Sequence, residues 1–372
     1  MTLRPLIDLR AGLTQGEGVG RYSREVARAL AARDDVEPRV FAPTWTRPST
    51  TLAEAGLGGA PAFAPRLPSK PLTAALRALS IGVERLVRSG TTLVHNTQYR
   101  RLPSRLPAVT TVHDLAYLDS DRYVGAATAA RMSRFARAAA ARGDVLVTPS
   151  RAVAAEVVER LQVDPARVVA APLGIDHVLR MHPADADRAA VAEEVRREGP
   201  FLLTAARIER RKNHLGLLRA LERLGDVAPR WVLVGPDGEG AAEFHQALSS
   251  SPIRDRVQLL GRVSEGALRA RLDACAAFAL VPHDEGFGLA PLEAAALGRP
   301  VVTSAVPVVE EVCGGAAEFV CPDSPEEIAR GIERVLGLAP RERDARAAAA
   351  LRATWAGCAA RHVEAFRLAL AR

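Results

Sequence analysis

The sequence predicts an α/β protein made of two doubly wound parallel sheets, one in each of two domains. Two observations lead there, length and alternation; a third feature, charge, bears on partners. The chain has 372 residues, and at roughly 100–200 residues per domain that is two domains. Apolar runs of four to six residues alternate with stretches of helical period, and unbroken apolar strands mark parallel sheet covered on both faces. Charge is shared unequally: residues 1–172 hold 24 basic and 15 acidic side chains, and residues 173–372 hold 26 and 28. A composition of 48% hydrophobic and 25% charged residues excludes collagen, a disulfide mini-protein and a wholly disordered chain.

The first half opens on a short apolar strand, Arg4–Leu9, and a glycine-rich turn over Gly16, Gly18 and Gly20. Arg21–Arg33 carries helical periodicity through Tyr22, Val26, Ala29 and Leu30. A strand follows at Glu37–Phe41. Pro, Gly, Ser and Thr make 44–72 a long surface loop. Leu72–Arg88 reads as one amphipathic helix; its Arg77, Arg85 and Arg88 would let it lie on an anionic membrane, but packing on its own sheet is the favoured reading. Strands are expected at Thr92–Asn96, Ala108–His113 and Asp144–Pro149, and helices at Gly125–Arg142 and Arg151–Leu161. The domain boundary falls near 173–180, followed by a polar stretch to Pro200.

The second half is more regular. Strands are expected at Phe201–Ala206, Trp231–Gly235, Arg256–Leu260, Phe278–Val281, Pro300–Thr303 and Ala317–Val320. Helices fall between and after them at Asn213–Leu224, Ala241–Leu248, Ser264–Ala274, Leu289–Leu297, Val308–Cys313 and Pro325–Leu336. A last helix, Arg341–Leu370, returns to the first domain with Trp355 packed there. The domains are therefore 1–172, joined by residues from about 355 to 372, and 173–354. Two such sheets would face each other across a central cleft, with ligands at the carboxyl ends of the strands.

Composition narrows the partners. Only Lys70 and Lys212 are lysine; the other 48 cations are arginine. A basic first half suits an anionic partner. Nucleic acid is excluded, because aromatic residues are only 4% and no basic run is interleaved with them. Cys275, Cys313, Cys321 and Cys358 lie far apart, as small buried apolar residues of a reducing compartment do. The N-terminus lacks a signal-peptide core, and no stretch reaches about 18 uninterrupted apolar residues. A cytoplasmic protein, at most peripheral to the inner face of a membrane, is the expectation.

The sharpest motif is Glu285-Gly-Phe-Gly-Leu-Ala-Pro-Leu-Glu293, between an apolar strand and a helix. Gly286 and Gly288 allow a tight turn and close approach to a ligand. The amides near Phe287, Leu289 and Ala290 form a helix N-terminus suited to phosphate. Two carboxylates bracketing that helix end fit sugar hydroxyls on one side and a ribose on the other. The second motif, Arg207-Ile-Glu-Arg-Arg-Lys212, follows the strand Phe201–Ala206. An Arg fork and a Lys point charge there can neutralise a diphosphate leaving group. His113 ends another strand and precedes Asp114. The Asp119-Ser-Asp121 triplet is too short a pattern to imply a metal.

Together these residues resemble a retaining glycosyltransferase of the GT-B fold, in the large family 4 (group 1), and of mannosyltransferase type. The resemblance rests on the E-x7-E pair Glu285/Glu293, on Arg207 with Lys212, on the Gly16–Gly20 turn with Arg21 and Tyr22, and on Thr111-Val-His113-Asp114-Leu. Val147-Thr-Pro-Ser150 and Pro172-Leu-Gly-Ile-Asp176 also match. It implies that Glu285 binds the donor sugar and Glu293 the ribose. Gly286, Phe287, Gly288 and Leu289 would meet sugar and diphosphate through the backbone, and Arg207 and Lys212 would hold the diphosphate. Val263 would lie against the base, Gly18 and Gly20 would close on the diphosphate, and His113 would position and polarise rather than attack. The implied donor is a nucleotide sugar, GDP-mannose by this likeness, with a glycan or lipid-linked glycan as acceptor and no cofactor or metal. The rivals are a phosphorylase using pyridoxal phosphate, a sugar-nucleotide epimerase or hydrolase, and a catalytically inactive partner subunit.

Overall fold

The computed structural model describes residues 2–16, 18–46, 48, 50–87, 90–119, 123 and 125–372. Glu17 of the glycine turn, Arg88 and Asp121 lie outside the described residues. The chain forms two compact units. One comprises Met1–Leu115, Ala127–Gly174 and Thr354–Arg372; the other comprises Ala116–Ala126 and Ile175–Ala353. The segment 116–126 thus groups with the second unit, although it sits within the first half of the sequence.

The first unit holds seven strands: β1 (Pro5–Asp8), β2 (Arg39–Phe41), β3 (Ala62–Phe63), β4 (Leu93–Asn96), β5 (Ala108–Thr111), β6 (Val145–Thr148) and β7 (Val168–Ala170). Their order is β3-β2-β1-β4-β5-β6-β7, with every pairing parallel. Leu6, Phe41, Leu76, Val83 and Val94 build one apolar cluster against this sheet. The second unit holds β8 (Phe201–Ala205), β9 (Arg230–Val234), β10 (Val257–Gly261), β11 (Ala277–Leu280), β12 (Val301–Ser304) and β13 (Glu318–Val320). Its order, β10-β9-β8-β11-β12-β13, is again all parallel. Helices 214–224, 241–249 and 325–336 bury Leu217, Leu221, Phe244, Ile328 and Ile332 against it, around Trp231.

Strand order reverses beside β1 in one sheet and beside β8 in the other. Crevices at the carboxyl ends of strands open at such switch points. A side-chain relay ties the second switch point together. The Trp231 indole N–H donates to Thr204 Oγ1 at 2.9 Å, and that hydroxyl donates to the Ala279 carbonyl at 2.6 Å. Three adjacent strands, β9, β8 and β11, are thereby bound through buried polar groups as well as through their ladders.

Five expectations are corrected. The stretch 44–72 is not a loop throughout: β3 forms at Ala62–Phe63, and a helix begins at Ser69. Leu72–Arg88 is not one helix. A helix runs Ser69–Ala78, Ser80 takes a left-handed φ of 55°, and a 3₁₀ turn follows at Val83–Leu86. Lys70 accordingly stands in a helical first turn and not in a loop. Arg341–Leu370 divides into Pro340–Ala350 and Trp355–Leu370, because Thr354 caps a fresh helix by accepting from Gly357 N–H at 3.2 Å. The polar stretch after residue 182 contains a 14-residue helix, Asp185–Glu198, in which only Val191 is fully buried. That helix is held by charge: Glu194 meets Arg230 at 2.9 Å and Arg271 at 3.4 Å.

Candidate active site

In the second unit, the two motifs follow β8 and β11, the strands either side of the switch point. After β8, Ile208 accepts from Gly238 N–H at 3.0 Å and its own N–H reaches Pro236 O at 3.1 Å. This pins the loop before a 3₁₀ turn at Arg210–Lys212. Asn213 then takes a left-handed φ of 55° and caps helix 214–224, its side chain accepting from Gly216 N–H at 3.1 Å and donating to Pro322 O at 2.8 Å. Lys212 is therefore held one residue before a fixed corner.

The loop after β11 clasps this one. His283 N–H donates to Arg211 O at 2.9 Å, and Arg211 Nη1 donates to Asp284 O at 3.2 Å. The Lys212 ammonium donates to Glu285 Oε2, and both side chains are largely buried. Burial pushes the Glu285 carboxyl up, but Lys212 and Arg211 more than reverse this and hold it below the ordinary carboxylate range. Gly288 follows at φ 93° and heads helix Leu289–Ala296, whose N-terminus has no side-chain cap. A helix end with uncapped amides beside a lysine is an anion site by dipole and by charge.

The structure brings Lys212, Glu285 and the 286–289 turn together. Arg207 it places at the same sheet end but half-exposed, turned to Asp237 O at 3.2 Å and to Glu209 at 3.4 Å. Val263 is half-buried, two residues beyond the end of β10. Glu293 is buried in the second turn of helix 289–296, where its Oε1 lies 2.9 Å from His177 Nε2. Sequence reasoning passed over His177, because one histidine 116 positions from its partner leaves no local pattern.

In the first unit, His113 lies two residues past β5. Its Nε2 is 2.9 Å from Thr97 O, so Nε2 carries the proton and Nδ1 the lone pair. Burial lowers its pKa, against the Thr97 carbonyl and Asp114, so the ring is neutral. Tyr22 packs edge-on against it, with centroids 4.9 Å apart. Behind Tyr22 a buried chain of hydrogen bonds has one consistent direction. His362 Nδ1 donates to Cys358 O at 2.8 Å, so its Nε2 accepts from the Tyr22 hydroxyl at 2.8 Å. Tyr22 accepts from Thr111 at 2.7 Å, and Thr111 from His95 Nε2 at 3.1 Å.

The glycine turn is shaped by contact. Gly18 has φ 49° and heads helix Val19–Ala31. A Cβ on Gly20 would stand 2.1 Å from the Gln15 carbonyl oxygen, so only glycine fits there. Arg24, another residue that sequence reasoning passed over, ties the turn down through the carbonyls of Gly12, Gln15 and Gly16 at 2.7–3.2 Å.

The family model for Glycosyl transferases group 1 matches residues 186–352, and that for Glycosyltransferase Family 4 matches residues 16–179. This chain belongs to the group 1, family 4 glycosyltransferases. A D-inositol 3-phosphate glycosyltransferase of Xylanimonas cellulosilytica is 32% identical over 57% of this chain and 53% of its own length. A serotype-specific mannosyltransferase of Escherichia coli is 28% identical over 60% of this chain and 28% of its own. Among solved structures, a sucrose-phosphate synthase of Thermosynechococcus elongatus covers 98% of both chains, with a TM-score of 0.74 at 19% identity. That likeness establishes the GT-B fold. The chain spans about half the length or less of the curated relatives it matches. Among the described residues, no helix of this family member is long and apolar enough to cross a membrane.

Proposed function

We propose that the chain is a retaining glycosyltransferase that moves mannose from GDP-mannose to a hydroxyl of a glycan or lipid-linked glycan. The observation that carries the reading is the pairing of Lys212 with Glu285 beside the uncapped helix end at Gly288. A diphosphate entering there takes over Lys212, with Arg207 and the 288–290 amides as further partners. Glu285, released from its lysine, is then an ionised acceptor for sugar hydroxyls, and Glu293 serves the ribose. These groups supply a positive field for the leaving diphosphate. In the first unit, the lone pair on His113 Nδ1 accepts a hydrogen bond from a hydroxyl; a neutral ring so arranged orients and does not attack. Mannose is supported by the likeness to the mannosyltransferase of Escherichia coli.

A thermal-shift panel of GDP, UDP, GDP-mannose and UDP-glucose tests the donor. A selective rise with GDP and GDP-mannose is expected, and a selective response to a uridine donor would replace the mannose assignment. Incubation with the responding donor and no acceptor separates the rivals. An epimer or rapid complete hydrolysis would displace transfer as the reaction.

One observation favours a second reading of the acceptor. The first half is strongly basic, and several relatives act by name on D-inositol 3-phosphate. A phosphorylated polyol is then the acceptor in place of a glycan, and product formation with each under the same donor decides between them. A peripheral contact with anionic membrane is a further part of the proposal. Trp45, Leu67 and Leu79 are exposed in the same stretch as Arg66, Lys70 and Arg77. Sedimentation with anionic vesicles that salt reverses is the expected result; no sedimentation at low salt removes this part.

A further inference from the structure

His177 is absent from the motifs that define the site, yet it touches one of the site's carboxylates. It stands in a 3₁₀ turn, Asp176–Arg180, directly after Ile175, whose N–H donates to Ala353 O at 3.0 Å. The turn is therefore tied into the second unit by its backbone. His177 and Glu293 are each about 4% exposed or less, and Nε2 lies 2.9 Å from Oε1. With Glu293 as a carboxylate, whose oxygens only accept, the proton of this contact is on Nε2. A carboxylate has about four lone-pair sites, so accepting from His177 on Oε1 does not by itself prevent it from accepting from a diol.

We infer that His177 is a positioning residue for the nucleotide: it holds Glu293 in the rotamer that accepts the ribose hydroxyls. The inference rests on the reading of Glu293 as the ribose acceptor. Loss of the His177 donor leaves more of the ordering of Glu293 to the ligand, and that ordering weakens binding. With His177 in place the order is built in. The effect is confined to ligands that carry the hydroxyls, which distinguishes positioning from general support of the fold.

The test compares affinities for GDP and 2′,3′-dideoxy-GDP, and for UDP and its dideoxy form, by calorimetry on the full chain. In the wild type, the ribose form of the responding nucleotide is expected to bind about ten-fold tighter or more, the scale of a hydrogen bond to a charged group. His177→Phe keeps a ring but no donor and should bring the ratio within roughly three-fold. His177→Gln, whose amide can donate, should restore much of it. A wild-type ratio retained in a folded His177→Phe protein overturns the positioning role and leaves Glu293 as the ribose acceptor. A His177→Gln protein that loses the ratio while melting like wild type also overturns it. If the wild type itself does not discriminate, the ribose reading of Glu293 is what fails.

Discussion

Lys212 is one of two lysines among fifty cations, and its ammonium is the one that reaches Glu285. Replacing Lys212 or Arg207 by alanine should each lower turnover roughly 10²-fold, the scale of losing one charge-stabilising donor. Near wild-type rates in both would remove the diphosphate assignment. The same pair predicts a pH effect. The lowered carboxyl of Glu285 stabilises the fold above the ordinary carboxylate value, and that contribution is lost as pH falls through the lowered one. Lys212→Ala leaves burial opposed mainly by Arg211, so the acid limb of the rate profile should move to higher pH. A stationary limb would show that the lysine does not hold that charge. At this scale the sequence marks residues that cluster along the chain: Arg207, Lys212, Glu285 and Glu293 stand out as motifs, and of these the structure joins Lys212 to Glu285. His177 and Arg24 do not stand out, because each acts on a partner through space or on backbone carbonyls, and neither leaves a spacing to read.

Among the elements, helix 214–224 depends on Asn213 twice, for its cap and for its left-handed φ. Asn213→Gly keeps the φ and should cost a few tenths of a kcal/mol, whereas Asn213→Ala loses both and should cost about 1–2 kcal/mol. Denaturant midpoints of the two variants check the order, and equal midpoints would show that the left-handed φ contributes little beside the lost cap. Ser80 offers the converse: it is exposed and left-handed with no ligand role. Ser80→Gly should stabilise by roughly 0.5–1 kcal/mol, read as a raised melting temperature. Periodicity located most strands and helices, since apolar stripes follow from burial, but not the short strands β3 and β7 or the one-turn helix Arg10–Thr14. It passed over 185–198, where the buried side of the helix is marked by Glu194 rather than by an apolar stripe. It also joined 72–88 into one helix, because the left-handed residue that ends the helix is Ser80, while the glycine, Gly82, comes two residues later at the head of the 3₁₀ turn.

At the scale of the molecule, buried neutral histidines are unevenly shared. Burial depresses His95, His113 and His362 in the first unit, the last to about 4, while in the second it takes His214 to about 3. An unfolded chain binds these protons at the ordinary histidine value, so the stability they lend is full above about pH 6.5 and falls as pH drops towards the folded values. The first unit should therefore lose more stability than the second between pH 7 and pH 5. Calorimetry should show its transition moving further down, and equal movement of both would contradict the histidine account. The division into two sheets was legible in the sequence from length and alternation, and the last helix, as expected, belongs to the first unit. That placement has a consequence for how the protein is made. His362, which closes the hydrogen-bond chain through Tyr22 and Thr111, leaves the ribosome some 340 residues after Tyr22. The second unit, apart from 116–126, is a single uninterrupted stretch and can fold during translation, whereas the first must wait for the final helix. Vectorial synthesis thus completes the first-made unit last, and until then its polar core around Tyr22 stands open.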